Sequence, residues 1–151
     1  MLGLKRGAVA LYPHEKAWET EAQATMARLR QILGSVAVEM AHVGSTAIPT
    51  IQAKPIIDIA VAVDDFDTLL AYEKKLRAAG FYYRPNAQAE VRGQLLFACG
   101  SYYDGSGDLQ THFIHIVRTG SVDWQNYILF RDYLRTHPDA AGEYERLKLA
   151  L

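Results

Sequence analysis

Ala41-His42-Val43-Gly44-Ser45-Thr46-Ala47-Ile48-Pro49, followed by Lys54-Pro55-Ile56-Ile57-Asp58-Ile59-Ala60-Val61, is the stretch that decides how this chain folds. A Gly-Ser-Thr turn leaves the end of one apolar strand, and an aspartate stands inside the next. Burial gives no reason for a carboxylate among Ile56, Ile57, Ile59 and Val61, because an unpaired buried charge is expensive. Asp58 therefore needs partners or a metal, and the segment points to a site. Strand alternation puts Ile57, Ile59, Val61 and Val63 on one side and Ile56, Asp58, Ala60 and Ala62 on the other. The bulky β-branched side is expected to take helices. The smaller side is expected to line a shallow concave surface.

Upstream, Val36 to Val43 reads as a strand with Val36, Val38, Met40 and His42 sharing one side. Before it, Trp18, Ala22, Thr25, Met26, Leu29, Ile32 and Leu33 recur at helical spacing. Pro13 is expected in the first turn of that helix and Gly34 at its stop. Downstream, Asp64 or Asp65 caps an expected helix over Phe66 to Ala79, which Gly80 ends. Phe81 to Arg84 reads as a short strand and Asn86 to Gly93 as a loop. Gln94 to Tyr103 and Leu109 to Arg118 read as paired strands around Asp104-Gly105-Ser106-Gly107-Asp108, which is strong turn chemistry. Ser121 or Asp123 starts a helix with Trp124, Tyr127, Phe130 and Leu134 inward. Pro138 opens a last helix through Leu149. The order α-β-β-α-β-β-β-α-α implies an α+β fold with a mixed sheet and helices packed mainly on one face.

The 151 residues fit one domain, spanning 1–151. Half the residues are hydrophobic, 22% are charged and the net charge is -1, so neither disorder nor a large nucleic-acid footprint is expected. Cys99 is the single cysteine, which excludes an intramolecular disulfide and a cysteine zinc cluster. A reduced, cytoplasmic setting follows as the expectation. No run approaches ~18 apolar residues, and Met1 to Leu11 lacks a signal-peptide core, so no membrane segment is expected. Nothing in the sequence speaks to oligomeric state.

The Gly-Ser-Thr turn, the Lys54-to-Ile59 segment and His115 within Thr111-His112-Phe113-Ile114-His115-Ile116-Val117 resemble the GrpB family. So does Phe130-Arg131-Asp132-Tyr133-Leu134-Arg135-Thr136-His137-Pro138 with Tyr144 and Leu147. The resemblance runs from about Tyr12 to Leu149. It implies a nucleotidyltransferase-like fold, similar to a domain fused behind dephospho-CoA kinase in some bacteria. In the nucleotidyltransferase pattern the turn holds a triphosphate through backbone N–H groups and the Ser hydroxyl. Carboxylates on the next strand hold Mg²⁺. Gly44, Ser45, Thr46 and Lys54 match the phosphate-binding role, with His42 and Arg92 as further candidates for substrate contact. Asp58 matches the metal ligand and catalytic carboxylate. His115 matches a group that orients a substrate or moves a proton. The implied ligand is a nucleoside triphosphate or related phosphorylated metabolite.

The chain departs from that pattern in three ways. Ala60 stands where a second carboxylate is expected, leaving Glu39, Glu90 and Asp108 as remote candidates. Phe113 replaces the earlier of two histidines, and His112 faces the opposite side. Ala98 and Cys99 replace basic residues. Two readings stay open: a metal-dependent nucleotidyltransferase acting on an unknown acceptor, or a non-catalytic module binding a nucleotide, a CoA-related metabolite or a protein. Asp58 also suits a scaffold role, accepting hydrogen bonds from the turn. His42 and His115 equally suit hydrogen-bonded sheet positions, and a zinc site from His42, Asp58 and His115 requires that they converge.

Overall fold

The computed structural model describes residues 1–85 and 93–150. The loop expected from Asn86 and the candidate Arg92 fall outside them. Helix α1 (Lys16–Leu33) buries Trp18, Ala22, Thr25, Leu29 and Leu33, one stripe at helical spacing. Its stop is as expected: Gly34 takes φ +54° and its N–H returns to Arg30 O. Its start is not. The helix begins beyond Pro13, because Tyr12 forms an antiparallel bridge with Ala53 that keeps the chain extended there.

The central sheet has five strands: β2 (Glu39–Val43), β3 (Ile57–Val63), β4 (Tyr82–Tyr83), β5 (Leu95–Cys99) and β7 (His112–Arg118). Their order is β2-β3-β7-β5-β4, with β3 and β7 parallel and the other pairs antiparallel. A small separate sheet pairs β1 (Leu4–Lys5) with β6 (Leu109–Gln110). The strand expected through Tyr103 stops at Cys99. Gly100 turns there at φ +132°, and a Cβ on it would stand 2.2 Å from Leu109 O.

The helix expected from Phe66 forms as two pieces, α2 (Phe66–Leu70) and α3 (Glu73–Ala78). Asp65 is the cap, accepting from the Asp67 N–H at 3.1 Å. Helices α1 to α3 pack on the face carrying Ile57, Ile59, Val61 and Val63, which together with Phe97, Ile114 and Ile116 form the main core. Fully burying each such side chain contributes roughly 1.5–3 kcal/mol. The α+β class and the mixed sheet are as the sequence implied.

A single helical turn, Ser101–Asp104, stands where the expected strand would continue, and two longer helices, α4 (Val122–Thr136) and α5 (Pro138–Leu149), follow β7. Ser121 caps α4 by accepting from the Trp124 N–H at 3.2 Å. Helix α4 lies against the second sheet face, where Trp124, Tyr127 and Ile128 pack on Ala41, Val43 and Ala60. The small side chains of Ala41 and Ala60 let those larger groups approach the sheet. The expected concave surface is thus confined to the Asp58 end of β3, since Ala60 and Ala62 are fully buried. Phe130, expected inward, is 46% exposed. Leu134 does turn inward and joins Ile48, Ile51 and Ala141 in a second, smaller core.

Candidate functional site

Strand register assembles the site. Val43, the last residue of β2, pairs with Asp58, the second residue of β3, so the turn after β2 leaves the sheet beside that carboxylate. Gly44 takes φ +75° there, and a Cβ built on it would stand 2.6 Å from Asp58 Oδ2. Only glycine suits both the backbone conformation and the approach. On the other side of β3, His115 of β7 pairs with Ala60, one step along the same face. Its Nε2–H donates to Asp58 Oδ1 at 2.9 Å. Asp58 and His115 are 29% and 23% exposed, enough for a ligand to reach both. The His115 ring also lies against Tyr127 of α4, with centroids 5.5 Å apart.

Helices α4 and α5 hold the loop that follows Gly44. Arg135 Nε donates to Ala47 O at 2.9 Å. Glu145 accepts from the Gln52 N–H at 2.6 Å. Lys148 Nζ donates to Ser45 Oγ at 2.9 Å, and the Tyr144 hydroxyl lies 3.4 Å from the same oxygen. Ile48 and Ile51 pack under Leu134 and Ala141.

A cleft of about 580 Å³ opens between the turn, the Asp58 end of the sheet, the small β1–β6 sheet and the two C-terminal helices. It falls within the usual range for small-molecule sites. Of the sequence candidates, Gly44, Ser45, Thr46, Lys54, Asp58 and His115 all line it. Thr46 is only 1% exposed, and its hydroxyl shares a 2.8 Å hydrogen bond with His42 Nε2.

His42 does not join them, which corrects its reading as a substrate contact. It pairs with Ile59, so it projects from the core face, opposite to Asp58, and is 6% exposed. Its pKa is lowered to about 4, chiefly by burial and then by the Arg135 charge, with Asp58 pulling the other way. It is a neutral brace for Thr46. The zinc grouping of His42, Asp58 and His115 fails for the same reason. Among the described residues no three His, Cys, Asp or Glu side chains are grouped to hold a metal. Glu39 stands at the far end of β2, opposite Ala62, and Asp108 pairs with Lys5 at 3.6 Å. Glu90, like Arg92, lies outside the described residues. His112 faces the core, sharing hydrogen bonds with Thr25 at 3.0 Å and Thr111 at 2.8 Å, and lying 3.1 Å from a Glu21 carboxylate oxygen.

The structure adds Lys5, Phe113, Tyr127, Phe130, Tyr144 and Lys148 to the lining. Tyr144 and Lys148 stand four residues apart on α5, a spacing that puts both on one helix face. That spacing was a visible signal, although nothing local says which partner the face meets.

The sequence matches the family described as GrpB protein over residues 8–151. The glutamate-rich protein GrpB of Alkalihalophilus pseudofirmus is 35% identical over 98% of this chain and 83% of its own length. A dephospho-CoA kinase of Mycolicibacterium paratuberculosis is 30% identical over 96% of this chain, which spans only 40% of that protein. Among solved structures, the GrpB crystal structure from Enterococcus faecalis superposes with a TM-score of 0.80 at 26% identity, covering 91% of this chain and 79% of that one. The Cid1 poly(U) polymerase bound to MgGTP gives a TM-score of 0.55 at 18% identity, covering 85% of this chain and 40% of that one. The second likeness is one of fold alone. On the match across residues 8–151, this chain belongs to the GrpB family.

Proposed function

We propose that the cleft binds a nucleoside triphosphate and transfers its nucleotidyl group to an acceptor. The observation that carries this reading is that one cleft brings together the Asp58 carboxylate, the His115 imidazole, the Ser45 hydroxyl and two lysines, Lys54 and Lys148. Lysines serve phosphate as point charges. Structural neighbours of the same fold were solved with magnesium nucleotides bound.

Asp58 presents one carboxylate to the cleft, which fits a single Mg²⁺ that keeps its other ligands among water and substrate phosphates. A two-ion centre asks for more carboxylates, and among the described residues Asp58 is the one that lines the cleft. Bound there, Mg²⁺ would neutralise phosphate charge in the transition state. In the reaction proposed, an acceptor oxygen attacks the α-phosphorus, the bond to the β-phosphate oxygen breaks and pyrophosphate leaves. His115 donates from Nε2 to Asp58, which leaves Nδ1 as a proton acceptor for the attacking hydroxyl. Asp58 fixes that tautomer.

The single carboxylate favours a second reading, a binding module without catalysis. A CoA-related ligand suits it, since one relative carries the name dephospho-CoA kinase. Thermal unfolding of wild type and Asp58→Ala with each nucleoside triphosphate, with and without Mg²⁺, tests whether the cleft takes a nucleotide with a metal. A ligand that binds only the folded state raises the midpoint by mass action. A magnesium-dependent rise that Asp58→Ala abolishes supports the nucleotide site. No rise with any triphosphate sinks it and turns the search to CoA metabolites and protein partners.

A further inference from the structure

We infer that α5 supplies an anion seat to this cleft, in which Lys148 and Ser45, with Lys54 lining the same cleft, hold a phosphate group of the substrate without help from a metal. This deepens the reading above and rests on it, assigning the phosphate end of the ligand to a helix remote in sequence from the turn.

The charge around Lys148 is unbalanced. Lys148 is half-buried, and among the described residues its ammonium forms no ion pair with a carboxylate. Its partners are the neutral Ser45 hydroxyl at 2.9 Å and the face of the Tyr144 ring, 5.0 Å away. Lys54 is exposed and likewise forms no ion pair. Asp58, the carboxylate lining this cleft, is taken up by His115. A half-buried cation left with neutral partners beside an open cleft is poised for an anion.

Hydrogen-bond directions agree. An ammonium has three N–H groups, and Lys148 spends one on Ser45, leaving two. Because Ser45 Oγ accepts from Lys148, its own proton points elsewhere, and an oxyanion would compete for it only with the Tyr144 hydroxyl at a long 3.4 Å. Two lysines and a hydroxyl lining one cleft suit a tetrahedral phosphate better than a planar carboxylate, for which a guanidinium fork is the matched donor. Glu145 and Arg135 anchor the loop independently, so the Lys148 ammonium is not needed to hold the turn closed.

The test uses inorganic tripolyphosphate as probe, in EDTA, by titration calorimetry on the full chain. Wild type is expected to bind. Lys148→Met, which keeps the apolar stem, is expected to bind about ten- to a hundredfold more weakly, the range for a lost charged hydrogen bond. Lys148→Arg should recover most of that loss, and Lys74→Met, an exposed lysine on α3, should change nothing. Circular dichroism melts establish that each variant folds. Absence of binding by wild type, or unaltered binding by folded Lys148→Met, overturns the seat. Tripolyphosphate binding at Lys148 together with no Mg²⁺-nucleotide binding keeps the seat and removes nucleotidyl transfer. Asp58-dependent nucleotide binding that ignores Lys148→Met does the reverse.

Discussion

Asp58 leaves no room for a methyl group on Gly44, the residue that follows its strand partner Val43. A Cβ on Gly44 would meet Asp58 Oδ2 at 2.6 Å, and the backbone there has φ +75°. Gly44→Ala is therefore expected to destabilise by about 1–2 kcal/mol from backbone conformation alone, with the clash adding to it. Pairing it with Asp58→Ala relieves the clash, so the double mutant should be more stable than the sum of the singles predicts. Strict additivity in urea unfolding would show that the two groups do not press on one another.

Removing the apolar contact under the loop should cost more than removing a charged tether. Leu134 is 4% exposed between Ile48, Ile51 and Ala141, so Leu134→Ala is expected to cost about 2–5 kcal/mol. Glu145→Ala removes the acceptor for the Gln52 N–H, for about 1.5–3 kcal/mol. Denaturant unfolding of both variants checks the order, and a larger loss for Glu145→Ala would reverse it.

His42 should make stability pH-dependent. Burial holds its folded pKa at about 4, against 6.5 for the free side chain. Between those values the unfolded chain binds the extra proton, so stability falls as pH drops through the window and is full above it. The loss is on the order of 3 kcal/mol at about 1.4 kcal/mol per unit. His112, also lowered mainly by burial, adds in the same direction. His42→Asn should therefore flatten part of the slope, read from urea midpoints at about pH 7 and about pH 5. An unchanged slope would remove His42 from the account.

Cys99 should be chemically silent until the protein unfolds. Burial pushes its thiol up to about 12, and it is 7% exposed. The thiolate is the reactive form, so disulfide reagents at mild alkaline pH should label the native chain slowly and the urea-unfolded chain at once. Rapid native labelling would contradict its placement.

Asp58 and the turn were legible from sequence because their signal is local: a charge within an apolar alternation, and a glycine ahead of two hydroxyls. His42 was not, because its face depends on register. Once Val43 pairs with Asp58, its neighbour His42 must point to the core, and no local pattern states that pairing. The start of α1 was misread at Pro13 because the bridge from Tyr12 to Ala53 overrides a local helix signal. The role of Lys148 was hidden for a similar reason. Its partner Ser45 is 103 residues away, and only the packing of α5 joins them.

The fastening of the Gly44–Ala53 loop to α4 and α5 also bears on time. The loop runs outside the sheet ladder and is tied to those helices by Arg135 and Glu145, so freeing it requires that they lift away. A ligand spanning Lys148 and Asp58 would bridge α5 and the sheet, so that lifting of α5 would break its grip at one end. Amide hydrogen exchange at Ala47 and Ile48 would then keep pace with ligand release, so that residence time in the cleft is a property of helix undocking as much as of contacts with the ligand.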